Sequence, residues 1–352
     1  MEIIKFLIII LILISVHEFG HFIVAKIFNV YVSEFSLGFG PKIFSHKGKE
    51  TEFTIRLLPL GGFAAMVGEE GEISEDLAHV PFERTLKGVN RFKQFLIMFA
   101  GSFMNLVLAF VIFCGIVATN DIANTKPIIG EVAQNSPAQK AGLQENDYVL
   151  KIIQDDDITK VNTFTDLSLF SMFNTEGEAY EMIVSRDGKE QTLDITPEYD
   201  QESKNYVAGF SSTVLKKSSN PLTIVQNGFN VSVDRSKDIF TSLKMLFNGK
   251  AGLDDLSGPV GMVDMTKQIS ESGGLAALIN FTAFLSINLA IFNLLPIPAL
   301  DGGRIFILAI EAITRRKMSE SLESKIIGLS FMLLMALIIY VTFNDLVKIF
   351  LK

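Results

Sequence analysis

Four long apolar runs dominate the hydrophobic pattern of the chain, at residues 3–28, 95–118, 275–295 and 326–343. Each run has about the 20 residues that a helix needs to cross a bilayer. The first run is broken mainly by Lys5, Ser15 and a short polar motif near its end. The pattern therefore predicts a membrane α-helical protein with four transmembrane helices.

The segment between the first two runs, residues 29–94, is unusually apolar for a solvated loop. Apolar and polar positions alternate from residue 51, and the alternation continues into Pro59-Leu-Gly-Gly-Phe63. Alternation punctuated by glycine and proline is typical of short strands and turns. We therefore expect a β-hairpin region here.

Residues 126–200 have a different character, because they are charged and alternate as in a soluble α+β domain. Ser136 and Pro137 predict the start of a short helix, and Asp187-Gly188 predicts a two-residue hairpin turn. The connector that follows, 221–274, carries large apolar residues at helical spacings of three, four and seven, which predicts an amphipathic helix. Such a helix could lie at the outer membrane surface or pack on the preceding domain.

Basic residues near the membrane ends set the expected orientation. They cluster after the first run, before the second and before the fourth, at Lys42, Lys47, Lys49, Arg56, Arg84, Lys87, Arg91, Lys93, Arg315, Arg316, Lys317 and Lys325. The opposite flanks, 119–125 and 270–274, carry almost none. Both termini and the domain 126–200 are therefore expected outside the cytoplasm.

These patterns divide the chain into seven parts. They are a first span at 1–28, a cytoplasmic loop with the hairpin at 29–94, a second span at 95–118, the soluble domain at 126–200, the amphipathic connector at 221–274, a third span with its proline-broken end at 275–314, and a fourth span at 326–348.

Composition supports a membrane protein and excludes some partners. Hydrophobic residues make up 49% of the chain, with 30 Phe and no Trp. A net charge of −8 leaves no basic stripe, so nucleic acid is not an expected partner. One cysteine, Cys114, cannot form a disulfide within the chain.

The polar motif in the first run is His17-Glu-Phe-Gly-His21. Helical periodicity places the two imidazoles one turn apart on one face, where they can share a metal ion, and Glu18 between them suits a general base. Ionisable residues at membrane depth are costly and mark functional sites. This spacing therefore predicts a zinc hydrolase site, while two hydrogen-bonded core histidines are the structural alternative.

A catalytic zinc ion needs a third protein ligand and an open position for water. The chain has four histidines, and the other two, His46 and His79, lie in polar sequence. Asp301 is the stronger candidate, because it follows two prolines that break a membrane helix, where irregular backbone must line protein or a cavity. The same residue could instead cap the helix that begins near Gly302.

The first-span motif together with Asn293-Leu-Leu-Pro-Ile-Pro-Ala-Leu-Asp301-Gly on a later span resembles the site-2 protease family of intramembrane zinc metalloproteases. The chain is most similar to the regulator-of-sigma-E protease branch, in a variant with a single PDZ domain. The resemblance implies Zn²⁺ held by His17, His21 and Asp301, with Glu18 as the base. It also implies single-span membrane substrates, such as an anti-sigma factor or remnant signal peptides, in the bacterial cytoplasmic membrane.

The resemblance extends to residues that would hold substrate. Gly101-Ser-Phe-Met-Asn105 is similar to a family motif whose asparagine contacts substrate or the oxyanion, although Ser102 stands where the family often has proline. An Asn that joins two helices is the alternative. Asn293 would be a second residue that holds the substrate. The hairpin edge at Gly61, Gly62 and Phe63 would pair with an unwound substrate by β-augmentation, unless the hairpin merely lies on the membrane.

Residues 135–147 resemble the PDZ signature, and about 70 residues leave room for one such domain. By that resemblance, a groove for peptide tails would involve Ile128, Ile129 and Gly130. The domain could also act as a steric filter.

Two other classes of function compete with the protease interpretation. A membrane chaperone or scaffold that uses its PDZ domain predicts loss of a motif residue, yet His17, Glu18, His21 and Asp301 are all present. A metal transporter predicts inverted repeats or several broken helices. The pattern shows one broken helix, so an intramembrane protease is favoured.

Overall fold

The computed structural model describes residues 2–69, 77–155, 157–201, 205–249, 252 and 256–350. Its helices are α1 (Glu2–Ile27), α2 (Arg91–Thr119), α3 (Pro137–Lys140), α4 (Phe164–Phe173), α5 (Pro221–Phe247), α6 (Pro259–Asn293), α7 (Asp301–Thr314) and α8 (Glu320–Phe350). Its strands are β1 (Val32–Lys47), β2 (Glu52–Met66), β3 (Ile122–Ala123), β4 (Ile129–Val132), β5 (Tyr148–Gln154), β6 (Asp157–Lys160), β7 (Tyr180–Arg186), β8 (Lys189–Ile195), β9 (Glu198–Asp200), β10 (Asn205–Val207), β11 (Phe210–Ser212) and β12 (Val214–Leu215). Part of the predicted loop 29–94, residues 70–76, lies outside the described residues.

Four helices among the described residues are long and apolar enough to cross a membrane, namely α1, α2, α6 and α8. The prediction of four membrane helices is confirmed in this sense. The third span differs in extent, because α6 already begins at Pro259, within the predicted connector 221–274. Gly274, where that connector was expected to end, interrupts the helix with φ 59°, a conformation that glycine adopts without steric cost.

The chain forms two compact units, 1–112 with 249–352, and 113–248. In the first unit, β1 and β2 pair antiparallel, and part of β1 lies between two segments of β2. Leu37 of β1 has two register partners on β2, Gly62 and Ile55. The register partners of residues 62–65 among the described residues all lie on β1, so this segment forms an edge of the sheet.

Polar contacts attach the sheet to the end of α1. Glu50, in the turn between β1 and β2, lies 2.6 Å from the Lys26 amine and 2.9 Å from the Arg84 guanidinium. Hydrogen bonds from these two cations hold the pKa of the Glu50 carboxyl below its usual range. The sheet is thus held close to the helix that carries the histidines.

A carboxylate of the last helix satisfies the start of α6. Asp345 on α8 is 5% exposed and accepts a hydrogen bond of 2.8 Å from the Gly261 amide. Helix starts leave N–H groups without intrahelical partners, and a carboxylate there is electrostatically favoured. Gly258 and Gly261 leave room for it, because a Cβ at either position would lie within 3.0 Å of the carboxylate.

The second unit is built around an antiparallel sheet in the order β6-β5-β7-β8. The predicted hairpin turn joins β7 to β8, with positive φ at both Asp187 and Gly188. The predicted helix start is also present, because Ser136 caps α3 by accepting from the Gln139 amide. The core is apolar and includes Ile129, Val149, Ile152, Met182 and Ile195.

The amphipathic helix α5 packs within this second unit. Asp238, which is 4% exposed, accepts hydrogen bonds from the hydroxyls of Thr163 and Thr165 at the start of α4. Of the two expected positions for this helix, the structure shows packing on the domain. Leu222, Val225, Phe229 and Phe240 remain exposed on α5.

Candidate metal centre and catalytic site

Helix α1 carries the two histidines of the motif into the interior of the first unit. His17 is 6% exposed and His21 is 5% exposed. Their spacing of four residues brings the rings together edge to face, with centroids 4.8 Å apart. The predicted shared face is therefore formed.

The proline-broken segment brings Asp301 to the same place. Helix α6 ends at Asn293, and α7 begins at Asp301 with Leu300 as its N-cap residue. Oδ2 of Asp301 lies 3.1 Å from Nε2 of His17 and 3.2 Å from Nε2 of His21. This carboxylate oxygen therefore faces the imidazoles.

Glycines allow this sharp return between α6 and α7. A Cβ on Gly302 would lie 2.3 Å from the backbone of Leu294, and one on Gly303 would lie 2.2 Å from the carbonyl oxygen of Ile297. Only glycine permits such backbone contact. The segment after Asp301 thus fixes where its carboxylate points.

The three side chains fit a zinc ion. The two histidine Nε2 atoms lie 3.1 Å apart, so together with Asp301 Oδ2 they form a nearly equilateral triangle. Tetrahedral zinc with ligand bonds of about 2.0–2.1 Å separates its ligands by about 3.3 Å. Oδ2 is buried and has no hydrogen-bond donor among the described residues. A cation at the centre of the triangle would satisfy all three atoms.

The backbone of α2 sets the tautomer of one ligand. Nδ1 of His21 lies 2.7 Å from the carbonyl oxygen of Ile97. A carbonyl can only accept, so Nδ1 carries the hydrogen and Nε2 keeps its lone pair for a metal.

Two glycines bring α1 and α2 into close contact at the histidines. A Cβ on Gly20 would lie 2.3 Å from the carbonyl oxygen of Ala100. A Cβ on Gly101 would lie 2.3 Å from Nε2 of His21 and 2.8 Å from Cε1 of His17. The sequence motif contained Gly101, but its contact with both ligands was not predicted.

Glu18 lies between the histidines and the edge of the sheet. Its Oε2 accepts a hydrogen bond of 3.1 Å from the Ala64 amide, which belongs to the edge segment 62–65 of β2. The carboxylate is half-buried. A backbone donor on a sheet edge therefore holds the acidic residue of the motif beside the candidate metal ligands.

The predicted hairpin residues occupy this same part of β2. Gly62 is paired with Leu37, and a Cβ there would lie 3.9 Å from the Glu18 side chain. Gly61 has φ 144° and lies against the Phe39 ring, on which Phe63 stacks at 6.0 Å. Gly62 therefore lies beside the Glu18 side chain, and Gly61 and Phe63 flank Gly62 on β2.

Both predicted asparagines lie near His17. The Asn293 amide nitrogen is 3.5 Å from Nε2, the nitrogen that faces Asp301. The Asn105 amide is 3.5 Å from the other nitrogen, Nδ1, and Asn105 has no exposed surface. The two residues therefore lie on opposite sides of the ring, and Asn105 lies away from the centre of the triangle.

The predicted peptide groove at Ile128, Ile129 and Gly130 has no open strand edge. On one side, Ile129 exchanges backbone hydrogen bonds with Asn146 and Asp147. On the other side, Thr213 donates to the Ile128 carbonyl, and a Cβ on Gly130 would lie 2.3 Å from the Ser212 oxygen. Pairing within the domain therefore uses both strand edges at Ile128 and Ile129, and the peptide groove at these residues stays a prediction.

A contact between α7 and the residues just after β2 lies close to Asp301 in sequence. The Arg304 guanidinium donates to Glu69 at 2.8 Å. No sequence pattern predicted this pair.

Comparison with known proteins decides the family. The model of peptidase family M50 matches residues 5–337. The chain belongs to this family. The match spans both segments that carry the candidate metal ligands, α1 and the start of α7, and confirms the resemblance to site-2 proteases.

Bacterial relatives support the same conclusion. A protein of Clostridium perfringens (strain 13) whose name describes it as a zinc metalloprotease is 40% identical over 336 residues, covering 95% of each chain. The regulator of sigma-W protease RasP of Bacillus subtilis (strain 168) is 32% identical over an alignment of 423 residues, gaps included, that covers 99% of each chain. The zinc metalloprotease RasP of Bacillus licheniformis is 30% identical over an alignment of the same length, 423, that again covers 99% of each chain. This M50 chain is therefore a multi-pass membrane zinc metalloprotease.

Proposed function

We propose that the protein is an intramembrane endopeptidase that cuts single-span membrane proteins within or near the bilayer. His17, His21 and Asp301 would hold the zinc ion, and Glu18 would be the general base. The observation that supports this proposal is the triangle of ligand atoms with edges of 3.1 and 3.2 Å on apolar helices.

The chemistry divides between the metal and the chain. When bound, zinc supplies a Lewis acid that polarises the scissile carbonyl and makes a water molecule acidic enough to react near neutral pH. Glu18 takes a proton from that water and delivers it to the leaving amine. Its contact with the Ala64 amide orients the carboxylate toward the ligand atoms.

The edge of β2 would hold the substrate in a cleavable form. A helix hides its carbonyls in intrahelical hydrogen bonds, so a membrane helix must unwind before it is cut. Within the part of the chain that the structure describes, residues 62–65 have a register partner on one side only. Gly61, Gly62 and Phe63 would add the unwound segment as another strand. The Asn293 amide, near Nε2 of His17, would hold a substrate carbonyl.

The test is cleavage of a single-span protein by the full chain in liposomes. We expect cleavage within or near the span, found by sequencing the products. A strong chelator should abolish cleavage, and added zinc should restore it. Cleavage that persists after verified removal of the metal, or cuts only in soluble segments, would contradict the proposal.

We also propose that the second unit is a PDZ-like domain outside the cytoplasm, and that it limits which substrates reach the site. The capped helix α3 and the antiparallel sheet support the resemblance. Such a filter favours substrates already trimmed on their outer side. The name of the Bacillus subtilis relative, regulator of sigma-W protease, supports an anti-sigma factor as the substrate, and remnant signal peptides fit the same description.

Asp147→Ala should weaken this filter. Asp147 is 1% exposed and accepts two hydrogen bonds from Arg186, whose pKa these contacts raise. The Arg186 side chain is 20% exposed, so loss of these charge-assisted hydrogen bonds should destabilise the domain by about 1–3 kcal/mol. We expect faster cleavage of an untrimmed substrate at an unchanged rate for a trimmed one.

Asp121→Ala is the matched control, because its partner Lys216 is 79% exposed and exposed pairs contribute little. The measurement, made for each variant, is the ratio of the cleavage rate of the untrimmed substrate to that of the trimmed one. An unchanged ratio in Asp147→Ala, with a demonstrably loosened domain, would contradict the filter.

A further inference from the structure

The nitrogen of His17 that faces away from the metal needs a hydrogen-bond acceptor. The site places Nε2 of both histidines in the ligand triangle. A histidine that binds metal through Nε2 carries its hydrogen on Nδ1, and a neighbouring acceptor normally fixes that arrangement. His21 has the Ile97 carbonyl for this purpose. The corresponding acceptor for His17 must lie on the Nδ1 side of its ring.

Asn105 occupies that position. Its amide lies 3.5 Å from Nδ1 of His17, and the residue is fully buried. Its Oδ1 is also buried and has no hydrogen-bond partner among the described residues. With the amide nitrogen facing Nδ1, two N–H groups would point at each other while the amide oxygen, an acceptor, stays unsatisfied.

The opposite orientation of the amide gives the His17 donor an acceptor. The oxygen and nitrogen of a side-chain amide have nearly the same shape, so their assignment follows from the hydrogen bonds they can make. With the amide turned by half a revolution, Oδ1 faces Nδ1 of His17 and accepts its hydrogen. Buried polar atoms are nearly always paired in this way.

We propose that Asn105 is a positioning residue for the metal site. Its Oδ1 accepts the Nδ1–H of His17 and so keeps Nε2 available to zinc. This inference rests on the proposed function of His17 as a ligand. It differs from the predicted contact with substrate, because Asn105 acts through the histidine and touches neither substrate nor metal.

The surrounding helices hold Asn105 where this role requires it. Its backbone carbonyl accepts a hydrogen bond of 2.7 Å from the Ser286 hydroxyl on α6. It also lies one helical turn after Gly101, whose missing Cβ lets both histidine rings rest against α2. Residues four apart share a helix face, so Gly101 and Asn105 form one surface on which the ligands are oriented.

The proposal predicts a change in zinc affinity. Loss of a hydrogen-bond partner of a ligating histidine typically weakens metal binding by about 10–100-fold. We expect such a loss in Asn105→Leu, which keeps the size of the side chain but offers no acceptor. Asn105→Asp should bind zinc at least as tightly as the unchanged chain, because a carboxylate is a strong acceptor for Nδ1–H.

The measurement is zinc affinity of the full chain in detergent, by competition with a chelator of known affinity. The absorption spectrum of the cobalt-substituted protein reports the geometry of the ligands in the same samples. Ser102→Ala is the matched control, since Ser102 is fully buried on α2 and its hydroxyl has no hydrogen-bond partner among the described residues. We expect its affinity and spectrum to be unchanged.

Each outcome decides a separate question. Unchanged affinity and spectrum in Asn105→Leu, or an equal loss in Asn105→Asp, would overturn the role of Asn105. A loss shared by Ser102→Ala would assign the effect to the packing of α2 and would also overturn it. If the unchanged chain itself does not bind zinc, the proposed metal site fails, and the failure lies there rather than with Asn105.

Discussion

Glu18→Gln is expected to keep zinc and lose proteolysis. The three candidate ligand atoms are untouched, so the metal content should equal that of the unchanged chain. A glutamine cannot take the proton from the attacking water, and loss of a general base typically costs about 10²–10⁴-fold in rate. The Gln side-chain oxygen can still accept the hydrogen bond from the Ala64 amide, so the change removes the base with little disturbance of the edge strand.

Zinc content and the single-turnover rate on a single-span substrate are the measurements. Glu271→Gln is the matched control, because Glu271 is an exposed carboxylate on α6, and we expect no change in either quantity. Equal cleavage by Glu18→Gln and the unchanged chain would remove Glu18 from the mechanism. Loss of zinc in Glu18→Gln would instead assign the residue to the metal site.

Local spacing was enough to predict the centre of the site. His17 and His21 share a face because the helical repeat brings residues four apart together, and the apolar sequence around them predicted the helix. Asp301 could be chosen because two prolines must interrupt a membrane helix. The sequence did not show whether its side chain would cap a helix or face the histidines, because that depends on how the chain turns back between α6 and α7.

The sequence alone did not predict contacts that depend on how helices and strands dock. The pairing of Leu37 with both Gly62 and Ile55 is a property of the folded sheet. The backbone pairing at Ile129 could not be predicted for a related reason. A strand's sequence shows its propensity to pair, but it does not show that partners from the same domain already occupy both of its edges.

The start of α6 at Pro259 was missed because the segment before Gly274 is more polar than a membrane span. Hydropathy identified the part of the helix that is apolar enough to span a bilayer. It did not identify the polar helical extension, in which Asp345 on α8 satisfies the Gly261 amide. Helix length and membrane span are separate properties.

Gly101→Ala is expected to destroy the metal site through a single methyl group. The added Cβ would lie 2.3 Å from Nε2 of His21, its metal-facing atom, and 2.8 Å from Cε1 of His17. The obstacles are the rings of the two candidate ligands, of which His21 is held by the Ile97 carbonyl, so either the rings rotate away from the triangle or α2 moves away from α1. We expect zinc content and cleavage to fall below detection.

Gly115→Ala separates this effect from the general consequence of placing alanine in α2. Gly115 lies on the same helix, and a Cβ there meets no atom within 4 Å. It should leave zinc and cleavage unchanged, and it should stabilise the helix by up to about 1 kcal/mol, the difference between glycine and alanine in a helix interior. Stoichiometric zinc in Gly101→Ala would show that the ligands can move aside without losing the metal, and the fixed surface on α2 would have to be abandoned. Zinc loss in Gly101→Ala alone would establish that this surface, which no spacing rule revealed, is as necessary to the site as the ligands themselves.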